Sequence, residues 1–137
     1  MAQRVRSIRV SIPLAGFNLS GGVKSLCTVA NALAARGHRV RISVPDYAAT
    51  PPIPLDPAVR VRVLRAGPEC LPAPARKLLH LVRLATTATA GADVCLANYF
   101  TTAYAAVCSK LLRRDRCVLA YNVRGYEPVS HGLQAAA

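Results

Sequence analysis

The order of apolar and polar positions divides this 137-residue chain into alternating strand-like and helix-like segments. Val5 to Ile12 reads as a first strand that Pro13 ends. Residues 18–46, NLSGGVKSLCTVANALAARGHRVRISVPD, hold a complete unit of Gly-Gly loop, amphipathic helix, glycine stop and second strand. Val23, Leu26, Cys27, Ala30, Leu33 and Ala34 recur at i, i+3, i+4 spacing, which gives a helix running to Arg36 one apolar stripe. Ser20 is placed to cap it, because its hydroxyl can accept from the orphan amides of the first turn. Gly37 stands where a left-handed residue would end it. Arg39 to Val44 then alternates with the period of two of a strand.

Five prolines between residues 45 and 58 predict an irregular surface loop. Val59 to Leu64 alternates strictly and reads as a half-buried strand at or near a sheet edge. Pro68, Pro72 and Pro74 mark the next loop. A helix is predicted from Ala75 to Ala90, with Leu78, Leu81, Val82 and Ala85 on its apolar face and Gly91 as its stop. Asp93 to Ala97 is a short, nearly all-apolar strand of the kind buried on both faces. Asn98-Tyr-Phe-Thr-Thr leads into a helix through Leu112, and Cys117 to Tyr121 is the fifth strand.

Strands alternating with helices predict an α/β fold: a Rossmann-like parallel sheet, right-handed crossovers, and helices on both faces. Ligands on such sheets bind outside the carboxyl ends of the strands. The loops at 13–22, 98–102 and 122–128 fall at that edge. A strand, a glycine loop and a helix N-terminus together make an anion site, since loop amides and helix dipole point at the ligand. The expected ligand carries phosphate or sugar.

Composition narrows this. An apolar fraction of 53% with 18% charged residues is enough for one packed domain and excludes disorder. The net charge of +12 rests on 18 basic residues, fifteen of them Arg. Part of this reflects a bias toward Arg, and the functional reading is attraction to an anionic membrane surface or a phosphorylated substrate. Sequence-specific nucleic-acid binding is not indicated, because no basic stretch is interleaved with aromatics. The five cysteines are odd in number and form no CxxC pair, so no zinc site or other metal site is expected. Four of them fall in predicted helices or strands, where Cys behaves as a small buried hydrophobe, which fits a reducing cytosol. The N-terminus, interrupted by Arg4, Arg6 and Arg9, lacks the apolar run of a signal peptide. Residues 84–107 carry one charge, Asp93, but are mostly Ala and Thr, with Gly91 and Asn98 interrupting, and do not read as a membrane span. His38 reads as a turn residue bonding locally and His80 as a partly buried structural residue, while His131 falls near the cleft. No nucleophile with a base and an orienting acid can be assembled, and no catalytic residue is assigned.

Three segments carry a family resemblance. SGGVKSLCTVANALAARGHRV resembles the SGGVRxxxELANALAxRGHEV signature of family 4 glycosyltransferases of the GT-B fold. DVCLANYFTTAYAA is similar to that family's following strand and helix. YNVRGYEP resembles the YFVQDYEP segment of a rhamnosyltransferase-like subgroup acting in cell-surface polysaccharide assembly. Arg124-Gly125 departs from the Gln-Asp of that segment.

The resemblance implies an N-terminal, acceptor-side domain over residues 1–128, with a tail at 129–137. It implies donor-phosphate binding at Gly21, Gly22 and Lys24, where the family usually has Arg for the lysine. It places acceptor binding at Asn18, Asn98, Tyr99, Tyr126 and Glu127. A nucleotide-sugar is then a substrate rather than a cofactor, and the acceptor is a glycan or a lipid-linked precursor at the cytoplasmic membrane face. A second Rossmann-like domain holds the nucleotide-sugar in this family. The chain is therefore expected to be a truncated or split product, inactive alone.

Two other classes compete. A partitioning-type P-loop ATPase has a similar helix and strand, but its lysine must directly follow the second glycine, and here Gly22 and Val23 intervene. A non-catalytic basic module would use the rows Arg39/Arg41 and Arg60/Arg62 to dock an acidic partner, although solvated edge-strand charge accounts for the same rows. A dehydrogenase lacks support, since no GxGxxG occurs.

Overall fold

The computed structural model describes residues 6–18 and 21–122. The strands are β1 (Arg9–Pro13), β2 (Arg39–Pro45), β3 (Arg60–Leu64), β4 (Val94–Ala97) and β5 (Val118–Tyr121), and the helices are α1 (Gly21–Ala35), α2 (Ala73–Thr87) and α3 (Phe100–Arg113). A short 3-10 turn, Asp46–Ala48, follows β2. The sheet is five-stranded with order β3-β2-β1-β4-β5, and each pairing is parallel. The chain steps outward from β1 to β2 and β3, then returns to the other side for β4 and β5. With crossovers of one hand, that reversal sends α1 to one face and α3 to the other. This is the α/β architecture expected of the sequence.

The larger core lies between α1 and the sheet, where Leu26, Cys27 and Ala30 meet Val10, Ile12, Ile42 and Val44. The alternation of β1 and β2 puts these apolar side chains on the α1 face, and Ser11, Arg41 and Ser43 on the other. That other face is covered by α2 and α3, which meet through small residues. Ala88, Cys95, Ala106 and Cys117 form one cluster, and Leu64, Leu84 and Ala105 another. Helix α1 ends as its pattern predicts. Gly37 has φ +87°, its amide donates to the Ala34 carbonyl and the His38 amide to the Leu33 carbonyl, which together make a Schellman cap.

Several expectations need correction. Pro13 does not end β1 from outside; it is the last strand residue, opposite Ser43. The face of α2 that packs is His80 and Leu84, while Leu78 and Val82 are exposed. Hydrophobic spacing alone favoured the 78/82 stripe, but the close approach of α3 selects the one that admits it. Helix α2 ends at Thr87 rather than Ala90, and Gly91, at φ +65°, follows a turn. His38 bonds locally through its amide, to the Leu33 carbonyl, while its ring reaches further: its Nδ1 accepts from the Ile8 amide, thirty residues away. His80 is fully buried rather than partly so. Cys108 lies on α3 but is exposed, so Cys27, Cys95 and Cys117 are the buried thiols among the four assigned to elements. Ser20, Tyr126, Glu127, His131 and the expected tail lie outside the described residues.

A polar chain, buried at Thr89 and Ser109, ties the turn after α2 to α3. The Thr89 amide donates to Ser109 Oγ at 3.1 Å, and Thr89 Oγ1 donates to Asp115 Oδ2 at 2.8 Å. With that proton committed, Ser109 must donate to Thr89 Oγ1 across 2.8 Å. Arg113 Nε closes the chain on Asp115 at 3.2 Å. Ser109→Ala would strand the Thr89 amide and is expected to destabilise the fold by about 1–3 kcal/mol, read as a lower urea midpoint with unchanged slope. Burial pushes the Cys95 thiol up to about 12 and raises Cys27 and Cys117 as well. An aromatic disulfide reagent should therefore modify Cys70 and Cys108 in the folded protein and reach the other three only on unfolding.

Candidate functional site

The strand order reverses between β1 and β4, and there the connections leave for opposite faces of the sheet. This is where a parallel sheet opens a crevice at its carboxyl edge. From β1 the chain passes through Leu14 and Gly16 to the start of α1. The Leu14 amide donates to the Ser43 carbonyl at 2.9 Å, and the Leu14 carbonyl accepts from His80 Nε2 at 2.7 Å. The Phe17 amide donates to the Ala48 carbonyl at 2.9 Å, holding the loop against the 3-10 turn. Gly16 makes that contact possible: a Cβ there would lie 2.8 Å from Ala48 Cβ.

Across the crevice, β4 ends at Ala97, Asn98 and Tyr99 follow it, and α3 starts at Phe100 rather than after Thr102. The Tyr99 carbonyl accepts from Thr102 Oγ1 and from the Ala103 amide, both at 2.9 Å, which fixes the first turn. The Tyr99 and Phe100 rings stand 4.6 Å apart, tilted by 42°. Asn98 reaches back toward α1: a Cβ on Gly22 would lie 3.2 Å from Asn98 Nδ2. The Gly-Gly segment and the amide of β4 therefore share one wall, although 76 residues separate Gly22 from Asn98. A Cβ on Gly21 would meet open space, so this position is free on its outer side. Lys24 and Thr28 are exposed on the same solvent stripe of α1 as Gly21. Asn18 is exposed on the loop before α1.

The electrostatics favour an anion. Neither α1 nor α3 carries an acidic residue in its first turn, and the N-cap of α3, Tyr99, makes no side-chain capping bond. The positive ends of both helix dipoles thus carry no carboxylate in their first turns to neutralise them. The nearest acid at the carboxyl edge of β2, Asp46, is already engaged. Its Oδ1 takes Arg76 Nη2 at 3.1 Å and the Ala66 amide at 3.4 Å, with Arg76 resting 5.0 Å from the Tyr47 ring. It therefore braces β2 against α2 and does not offer a free carboxylate to a ribose. Among the described residues no group of His, Cys, Asp and Glu is arranged to hold a metal ion. No described helix is long and apolar enough to cross a membrane.

Of the expected site residues, the structure brings Gly21, Gly22, Asn98 and Tyr99 to one crevice, with Asn18 on the loop that leads to it and Lys24 one turn along α1. Sequence reading did not assign His80 a part in this region. Its Nε2 donates to Leu14, while its Nδ1 is buried with no partner among the described residues. Burial lowers its pKa from the ordinary 6.5, against the Leu14 bond and Asp46, which raise it. A single His among leucines offered no signal of that contact.

Residues 20–137 match the model of the glycosyl transferase 4-like domain. No curated protein matches the chain.

Because His80 folds as the neutral base, the unfolded chain binds the extra proton. Its contribution to stability is fully present above the unfolded pKa, near 6.5, and is lost as pH falls from there through the lower folded value. Urea midpoints measured between pH 7.5 and 5 should fall on acidification, and His80→Gln, which keeps a donor for Leu14, should flatten that segment.

Proposed function

This chain belongs to the glycosyl transferase 4-like family, and on that premise we propose that it is the N-terminal, acceptor-side half of a sugar transferase. The reaction is transfer of a glycosyl group from a nucleotide-diphosphate sugar to a hydroxyl of a lipid-linked or cell-surface polysaccharide precursor. The observation that carries this reading is the crevice itself. Gly22, in the first turn of α1, lies against Asn98, just before α3, and neither helix has an acidic residue in its first turn.

In this role the α1 amides and the Gly21-Gly22 backbone stabilise charge on the departing diphosphate, a task for fixed dipoles that need no rearrangement as charge develops. Lys24 adds a mobile point charge near the same helix end. Asn98 and Asn18 supply amide donors and acceptors to the acceptor's hydroxyls, and Tyr99 adds a ring with a polar tip. Tyr126 and Glu127, in the segment resembling the rhamnosyltransferase-like subgroup, extend the acceptor side. The nucleotide is gripped by a second Rossmann-like domain, so residues 1–128 alone do not turn over donor. The work is done at the cytoplasmic membrane face, where a lipid-linked acceptor presents itself.

Gly21→Val tests the assignment. The new side chain enters open space, so the fold should tolerate it, yet it stands over the amides that an anion must reach. Amide NMR of the wild-type chain titrated with a nucleotide-diphosphate sugar should show shifts at residues 21–24 and 98–100. The variant should lose them, with affinity down about tenfold or more and an unchanged unfolding midpoint. Equal shifts in both proteins would overturn the reading.

A further inference from the structure

A second concentration of positive charge lies at the opposite, amino-terminal end of the sheet. In the strand register Arg9 stands beside Arg39, Arg41 beside Arg60, and Arg62 beside Ser43. Register partners project to the same face. Ser11, on that face, donates to the Ala88 carbonyl beyond α2, so all five arginines belong to the α2/α3 side of the sheet. Arg9, Arg39, Arg41 and Arg60 line a cleft of about 590 Å³ that includes Gly91 and contains no acidic residue. An adjoining cleft of about 580 Å³ shares Arg9 and Arg39.

One of these cations is neutralised locally, since Arg9 pairs with Asp93 at 3.2 Å. Among the described residues Arg39, Arg41, Arg60 and Arg62 have no carboxylate partner. Arg41 is held rigidly, with Nη2 donating to the Ala90 carbonyl at 2.8 Å and to Ser11 Oγ at 3.4 Å. Its Nε is buried with no partner among the described residues. Burial, followed by the charges of Arg62 and Arg113, lowers the Arg41 pKa, which marks a place short of negative charge. Charge that protects a sheet edge explains Arg60 and Arg62 on β3. It does not explain Arg39 and Arg41, which sit on β2 between β1 and β3.

We propose that this arginine-lined cleft binds a phosphate-bearing anion, at a site separate from the sugar crevice. The guanidinium fork presents paired donors at the spacing of phosphate oxygens, and two or more forks converging on one cleft give a site that a single lysine cannot. The phosphate comes either from a soluble compound or from the headgroup of an anionic lipid. This proposal does not depend on the transferase reading, because it uses none of the same residues.

Amide NMR of the whole chain at low ionic strength, titrated with inorganic pyrophosphate, tests it. Shifts should appear at residues 39–41, 58–60 and 91–92. The double variant Arg39→Gln/Arg60→Gln changes only exposed side chains, so it should fold normally and bind roughly tenfold more weakly. Phosphatidylglycerol vesicles, with phosphatidylcholine vesicles as control, separate the sources. Selective broadening of these amides by the anionic vesicles alone, without a pyrophosphate response, identifies a lipid headgroup. A saturable pyrophosphate response identifies a soluble phosphate. No change at these amides with either probe, shifts confined to residues 21–24 and 98–100, or equal binding by the double variant overturns the proposal.

Discussion

Strand β1 pairs in parallel on both sides, with β2 and with β4, and the rest of the structure depends on that double pairing. A central parallel strand must be entered and left through crossovers, so each neighbour is reached by its own excursion over a face of the sheet. Because the crossovers share one hand, excursions to opposite sides of β1 use opposite faces. The connections after β1 and β4 diverge, and the carboxyl edge between them cannot close. The crevice is therefore a consequence of strand order before any side chain is considered. On the loop after β1, the Leu14 amide is bound to the Ser43 carbonyl and the Leu14 carbonyl to His80, which leaves neither group seeking a partner.

What was legible in the chain was what is local. The Gly-Gly loop, the stripe of α1, the Gly37 stop and the alternation of β2 all lie within thirty residues, and each is set by neighbouring dihedrals and by one face seeking burial. The strand–helix rhythm was enough to anticipate a parallel sheet. The face of α2 was not legible in the same way. Leu78, Leu81, Val82 and Ala85 make a plausible apolar stripe, but which stripe is buried depends on how closely α3 approaches. The packing combines Leu84 with the small residues Ala88, Ala105 and Ala106, and Ala85 lies against it, so only part of the expected stripe is used. Large side chains such as Tyr104, Leu111 and Leu112 are then left outward.

The candidate site divides along the same line. Residue types at Gly21, Gly22 and Asn98 were visible as motif elements, and the resemblance tied them to one family before the fold was known. The strand–helix order placed their loops at one edge, but the direct approach of Asn98 to Gly22 was not visible, because it comes from the return of the chain to the far side of β1. The His80–Leu14 bond and the Thr89–Ser109–Asp115 chain were invisible for a related reason. Each joins single polar residues across twenty or more positions, and an isolated Ser, Thr or His on a helix has no pattern that announces a partner. Buried polar groups of this kind do specific structural work when all their donors are satisfied, and they cost stability when they are not.

The net charge of +12 attracts anions to the molecule as a whole, but it does not decide where they settle. At the carboxyl edge the positive potential comes from helix N-termini, whose amides are fixed in direction and act within about one turn. At the amino edge it comes from arginine side chains, of which Arg39 and Arg60 are exposed, Arg9 is paired with Asp93 and Arg41 is anchored on the Ala90 carbonyl. Exposed charges separated by more than a Debye length, about 8 Å at physiological ionic strength, are largely screened. The arginine cleft should therefore lose affinity steeply with salt, while the crevice, which relies on short-range hydrogen bonds, should lose little. The two proposals thus ascribe to the two ends of one sheet physically different modes of capture: selection in the crevice by the shape of what its amides can reach, and in the cleft by the number of phosphate oxygens its forks can share.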